Sequence, residues 1–154
     1  MGVDPAFVGR VYPPTAPYEV ARTAIAAFAE ATAAAHPAYT DADAARALGY
    51  PDVVAPPTFA VVVAQAAESQ YVADPAAGID FSRVVHADER FTHHRPIHAG
   101  DRLVTVLHVE SVTERAGLSL VATRCEIADD AGAPVATVRS TLAVRPPDDD
   151  GAGR

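Results

Sequence analysis

One cysteine, Cys125, stands in the whole chain. It excludes an intrachain disulfide and a thiolate zinc cluster, and it offers no sign of an oxidising compartment. Read alone, Cys125 is a small strand residue. No apolar run approaches the ~20 residues that span a bilayer, and the opening MGVDPAFVGR lacks the basic-then-apolar pattern of a secretion signal, so a cytoplasmic protein is expected. Basic residues are few: twelve against twenty acidic ones, for a formal net charge of −8. They are scattered, whereas phosphate-backbone binding needs clustered Lys and Arg, so no nucleic-acid partner is expected, and no docking on an anionic membrane. No Walker loop, dinucleotide fingerprint or Ser-His-Asp set is present. Nucleotide-binding and hydrolase readings therefore have no residue support, and no cofactor is expected. His93, His94 and His98 invite a metal reading. The first two fall on opposite faces of a strand, however, and no carboxylate or cysteine pattern completes a tetrahedral set, so no metal is expected.

What is present suits one soluble domain. The 154 residues are 49% apolar and 21% charged, enough for a single core and too few for two comfortable ones. The domain is expected over residues 1–145, with PPDDDGAGR (146–154) a disordered acidic tail that has nothing to pack.

Val20, Ala24, Ala27, Phe28 and Ala31 fall at helical spacing, which predicts a first helix over 20–31, favoured by Glu19 at its start and ended by His36-Pro37. Asp41 is placed to cap a short second helix over DADAARAL, which Gly49 closes. FAVVVAQAAESQY (59–71) is apolar on almost every side, and its length and leading proline decide for a buried helix over a strand. Beyond it RVVHADERF, RLVTVLHVESV, LSLVATRCEI and PVATVRSTLAV are rich in Val, Thr and Leu and separated by turn signals, and they read as consecutive antiparallel strands. In the last of these Ala136, Val138, Leu142 and Val144 make one apolar face, which the buried helix would cover. The fold class is therefore α+β, an antiparallel sheet wrapped around a long apolar central helix.

FAEATAAAHPAYTD (28–41), VVAPPTFAVVV (53–63) and VHADERFTHHRPIHAGDRL (85–103), in that order, resemble the MaoC-like hot-dog hydratase/dehydratase family over roughly Val8 to Val144. The chain is most similar to the N-terminal dehydratase type, and within it to the non-catalytic subunit of (3R)-hydroxyacyl-ACP dehydratases. The resemblance implies the hot-dog fold. In catalytic relatives the first segment carries an Asp and, five residues later, a His. Together they remove the weakly acidic C2 proton of a 3-hydroxyacyl thioester and protonate the departing hydroxyl. Alignment on Phe28, Pro37 and Asp41 puts Ala34 at the Asp position and Tyr39 at the His position. Alanine exchanges no proton, and a phenol of pKa near ~10 is a poor base at neutral pH. No catalytic residue is therefore expected in this chain. His36 occupies the family's Asn position and reads as a helix-ending residue.

The resemblance further implies an acyl tunnel bordered by the central helix and the first strand after it, giving Tyr39, Pro57, Thr58, Phe59 and His86 as substrate-binding candidates. In relatives a first-turn amide of the helix polarises the thioester carbonyl. Pro57 holds that position here without an N–H, and Thr58 offers the nearest amide.

The expected function is the substrate-binding subunit of a (3R)-hydroxyacyl thioester (ACP or CoA) dehydratase in fatty-acid elongation. This is enzymatic only as part of a hydro-lyase whose dyad comes from a MaoC-like partner, in a heterodimer or larger assembly. The alternative is a non-enzymatic acyl-thioester binding homodimer. A third reading keeps catalysis here through His36, His86 or Tyr39. An acidic side chain and an imidazole poised together over a pocket of this chain would overturn the first reading.

Overall fold

The computed structural model describes residues 2–148; residue 1 and residues 149–154, most of the expected tail, lie outside the described residues. The first part of that tail is anchored, because Arg83 donates to the Pro146 carbonyl at 2.8 Å and to the Asp148 carboxylate at 3.2 Å.

Element order is β1 (Tyr18–Glu19), α1 (Arg22–Ala31), α2 (Ala42–Ala47), α3 (Ala60–Val72), β2 (Val84–His93), β3 (Arg102–Arg115), β4 (Leu118–Asp129) and β5 (Pro134–Val144). A 3-10 turn over Pro57–Phe59 leads directly into α3. The five strands form one antiparallel sheet in the order β1-β3-β4-β5-β2. Three hairpin-linked strands lie in sequence order as expected, but β2 does not neighbour β3. It crosses over to pair with β5, from Val84↔Val144 to His93↔Ala136. The curled sheet grips α3, which is the expected hot-dog architecture.

Burial explains why α3 is apolar all round. Phe59, Ala60, Val63, Ala64, Ala67 and Tyr71 are each no more than 2% exposed, packed among Leu107, Val121, Val138 and Leu142 of the sheet. Each large side chain so buried contributes about 1.5–3 kcal/mol. Cys125 is a fully buried member of the same core. Burial pushes its thiol pKa far up, so it is an inert strand residue.

Local endings differ from the sequence reading in two places. Helix α1 stops at Ala31, with Thr32 as its cap and Ala33 in the left-handed region at φ 54°, five residues ahead of His36. His36 instead starts a 3-10 turn over Pro37–Tyr39, its Nδ1 accepting from the Ala38 amide at 3.1 Å. Glu19 is not a helix-capping charge, because it lies in β1 and pairs with Arg102. Asp41 caps α2 as expected, accepting from the Asp43 and Ala44 amides.

The two sheet edges differ. The outer edge of β3 is covered by residues 9–19, through Gly9, Tyr12 and Thr15 amides donating to β3 carbonyls and through β1. The ten-residue β2 pairs only with β5 among the described residues, so its outer edge is open. No helix among the described residues is long and apolar enough to cross a membrane.

Candidate functional site

Two places along α3 matter, one at its start and one three turns on. At the start, the Ala34–Tyr39 segment is held beside the turn that opens α3: the Val54 amide donates to the Ala38 carbonyl at 3.0 Å, and Phe28 meets Phe59 edge-on at 5.4 Å. Ala34 is half-buried, and its methyl carries no chemistry. Tyr39 is half-buried between two apolar clusters, with the His36 ring 5.9 Å away. Since the His36 Nδ1 already accepts from the Ala38 amide, that ring is committed to capping and forms no dyad with Tyr39. Pro57 and Thr58 are exposed at the first turn, and the Pro57 carbonyl accepts from His93 Nε2 at 2.7 Å, tying the end of β2 to the start of α3. Phe59 is 1% exposed and committed to the core.

The second place holds His86, together with two carboxylates that the sequence reading did not single out. Glu68 projects from α3, and both Glu68 Oε1 and Glu89 Oε2 lie within hydrogen-bond reach of the Ser140 hydroxyl, at 2.7 and 2.8 Å. His86 Nε2 stands 3.6 Å from Glu68 Oε2 and 3.5 Å from Glu89 Oε1. In a regular strand residues three apart face opposite sides. Here the register slips between His86↔Leu142 and Asp88↔Thr141, so a bulge at Ala87 turns His86 and Glu89 to the same face. Desolvation raises the Glu89 pKa above the ordinary carboxylate range, and the nearby Glu68 charge pushes the same way.

This cluster borders a cleft of about 430 Å³ lined by Val72, Phe81, Val84 and Leu142 as well as Glu68 and His86. An acidic side chain and an imidazole thus do stand together over a pocket in this chain, against the expectation drawn from the sequence. They are not a relocated copy of the family dyad. Glu68 lies ten residues beyond Thr58, or about 15 Å along the helix at ~1.5 Å per residue, and 3.5–3.6 Å separations are too long for hydrogen bonds that would orient a proton transfer. One sequence signal was available: Glu68 is the single charged residue of a helix otherwise buried on most sides. Glu89 carried none, because its orientation depends on the bulge.

Comparison with known proteins agrees with this architecture. The family model for the FAS1-like, dehydratase domain region matches residues 6–138. A UPF0336 protein of Saccharopolyspora erythraea is 52% identical over 145 residues, which are 94% of this chain and 93% of that protein. Among solved structures, the C-terminally truncated HadBC (3R-hydroxyacyl-ACP dehydratase) complex of Mycobacterium tuberculosis superposes with a TM-score of 0.81 at 32% identity, covering 93% of this chain and 99% of that one. A MaoC-like dehydratase gives a TM-score of 0.84 at 34% identity, with this chain spanning 43% of its length. With its helix-gripping sheet and its family match over most of its length, the chain belongs to the FAS1-like dehydratase-region family of MaoC-like hot-dog proteins.

Proposed function

We propose that the chain is the substrate-binding subunit of a (3R)-hydroxyacyl thioester dehydratase, acting on ACP- or CoA-linked chains in fatty-acid elongation, with the Asp and His supplied by a second MaoC-like subunit. The observation that carries this reading is the pair Ala34 and Tyr39. They stand beside the start of α3, where dehydration needs an acid and a base, and they offer a methyl and a phenol. The open edge of β2 supports a partner, since hot-dog domains pair by aligning their sheets side by side. The likeness to HadBC, a complex described as a (3R)-hydroxyacyl-ACP dehydratase, supports the reaction class. On this reading Tyr39, Pro57 and Thr58 line the carbonyl end of the site, and His86, on β2, lines it farther along.

A second reading is favoured by one observation, the Glu68–His86 pair over the cleft: this chain would then carry its own acid and base. Crotonyl-thioester hydration separates the two. Under the first reading the purified chain is inactive alone and gains activity only with a dyad-bearing partner. Hydration by the solitary protein at a rate near that of the pair sinks it, and loss of that solitary activity in His86→Ala establishes the second. Native mass spectrometry adds the remaining outcome: a stable homodimer that ignores every dyad-bearing chain favours an acyl-thioester binding protein without enzymatic activity.

A further inference from the structure

Glu68, His86 and Glu89 are brought together from α3 and β2, away from the Ala34 and Tyr39 positions. Each presents one ligand atom, and all three atoms lie within 4.8 Å of one another. His86 Nε2 is 3.5 Å from Glu89 Oε1 and 3.6 Å from Glu68 Oε2. A tetrahedral cation with bonds of about 2.0–2.2 Å to nitrogen and oxygen holds its donor atoms roughly 3.3–3.6 Å apart. The two edges therefore already have the size that such an ion requires, whereas they are too long for direct hydrogen bonds.

A second observation points the same way. Glu89 Oε1, one of the two oxygens facing His86, is buried and has no hydrogen-bond partner among the described residues. A buried carboxylate oxygen without a donor is costly. The other oxygens of the two carboxylates converge on the single Ser140 hydroxyl, which has one proton to give and satisfies only one of them as donor. Glu68 is 7% exposed, so this negative charge is held mostly out of water, where a dication would offset it. The Ser140 contact orients the carboxylates from behind, as groups outside a metal's own ligands commonly do.

We propose that Glu68, His86 and Glu89 form a binding site for a divalent transition cation of the zinc class, with one coordination position left to water on the side of the cleft. One imidazole and two carboxylates suit zinc's preference for nitrogen and oxygen donors. The ion would clasp β2 to α3 beside the open sheet edge. The site is distinct from the His93, His94 and His98 group, of which His93 is engaged with the Pro57 carbonyl. It is compatible with dehydration by a partner subunit and not with the reading in which Glu68 and His86 serve as this chain's own acid and base.

The test uses the full chain, freed of metal by dialysis against chelator and titrated with zinc sulfate at neutral pH in a calorimeter. One zinc per chain is expected with a dissociation constant below roughly 10 µM, and cobalt(II) in its place should give the visible bands of a tetrahedral site. Glu89→Gln and His86→Ala should each weaken binding about tenfold or more, while His94→Ala, which removes an exposed imidazole outside the cluster, should leave it unchanged. Absence of stoichiometric zinc uptake by the unaltered chain overturns the proposal, whatever the variants do. So does unaltered uptake by Glu89→Gln and His86→Ala, or an equal loss in His94→Ala.

Discussion

Arg95 and Asp101 are joined by two parallel hydrogen bonds of 2.9 Å, Nη1 to Oδ2 and Nη2 to Oδ1, across the turn that leads into β3. Asp101 also accepts from the His98 amide at 3.0 Å, and its backbone carbonyl accepts from the Val20 amide ahead of α1. The RP-x-x-x-GD spacing is thus a structural clamp: the Arg and Asp face each other six residues apart, with Gly100 at φ 92° making the reversal between them. Asp101→Ala leaves a guanidinium without its bidentate partner. Because Arg95 keeps 31% side-chain exposure, the loss should fall below the ~3–5 kcal/mol of a fully buried pair, at about 2 kcal/mol. The urea midpoint measures it, and a change under about 0.5 kcal/mol would contradict the clamp.

That clamp also marks how far the sequence was readable. The length and leading proline of the apolar run FAVVVAQAAESQY were enough for α3, and the Val-rich runs between turn signals were enough for four long strands. The crossover of β2 to β5 leaves no such trace, since strand order depends on long-range pairing. At the site, the Phe28, Pro37 and Asp41 framework picked out Ala34 and Tyr39, and the segment between them lies beside the start of α3. The Glu68–His86–Glu89 group was not, because a bulge at Ala87 reverses the facing that simple alternation assigns to His86 or Glu89.

Phe81 is 77% exposed and Val85 58% exposed, beside and on the open β2 edge respectively. Exposed aromatic residues at the centre of a future contact carry much of its binding energy. Phe81→Asp should leave urea stability of the isolated chain within about 0.5 kcal/mol and weaken association with a dyad-bearing partner tenfold or more, read by titration in native mass spectrometry. Unchanged association would place the partner on another surface.

Arg22 at the start of α1 grips Asp52 through Nε–Oδ1 at 2.9 Å and Nη2–Oδ2 at 2.8 Å, fixing the loop that runs into α3. The hydrogen bond from Arg22, helped by the Val53 amide, holds the Asp52 pKa down at about 2. A depressed carboxylate pKa stabilises the fold above its unfolded value near ~3.9, and that contribution is lost as pH falls through the folded value. Asp52→Asn should therefore be less stable than the unaltered protein at neutral pH. The difference should narrow from about pH 4 downward toward the folded value. Parallel urea titrations across that window check it; a gap independent of pH would show that the ion pair is not its source.

Glu89 has the opposite sign. Its carboxylate is raised, first by burial and then by Glu68, so the charged form carries a penalty in the fold at neutral pH. The penalty is relieved as pH falls through the folded value toward the unfolded one, near ~4.3. In chelated buffer Glu89→Gln should consequently unfold at higher urea than the unaltered chain at neutral pH, with the advantage disappearing below about pH 4. The neutral amide removes the repulsion from Glu68 and can donate to one of its oxygens. Excess zinc should reverse the order, since a cation bound only by the folded chain adds stability in proportion to the logarithm of its concentration over the dissociation constant, and the amide variant forfeits a ligand. A Glu89→Gln chain that is less stable than the unaltered one in chelated buffer at neutral pH would mean that the carboxylate is already compensated within the fold. The cluster would then have no electrostatic reason to recruit an ion.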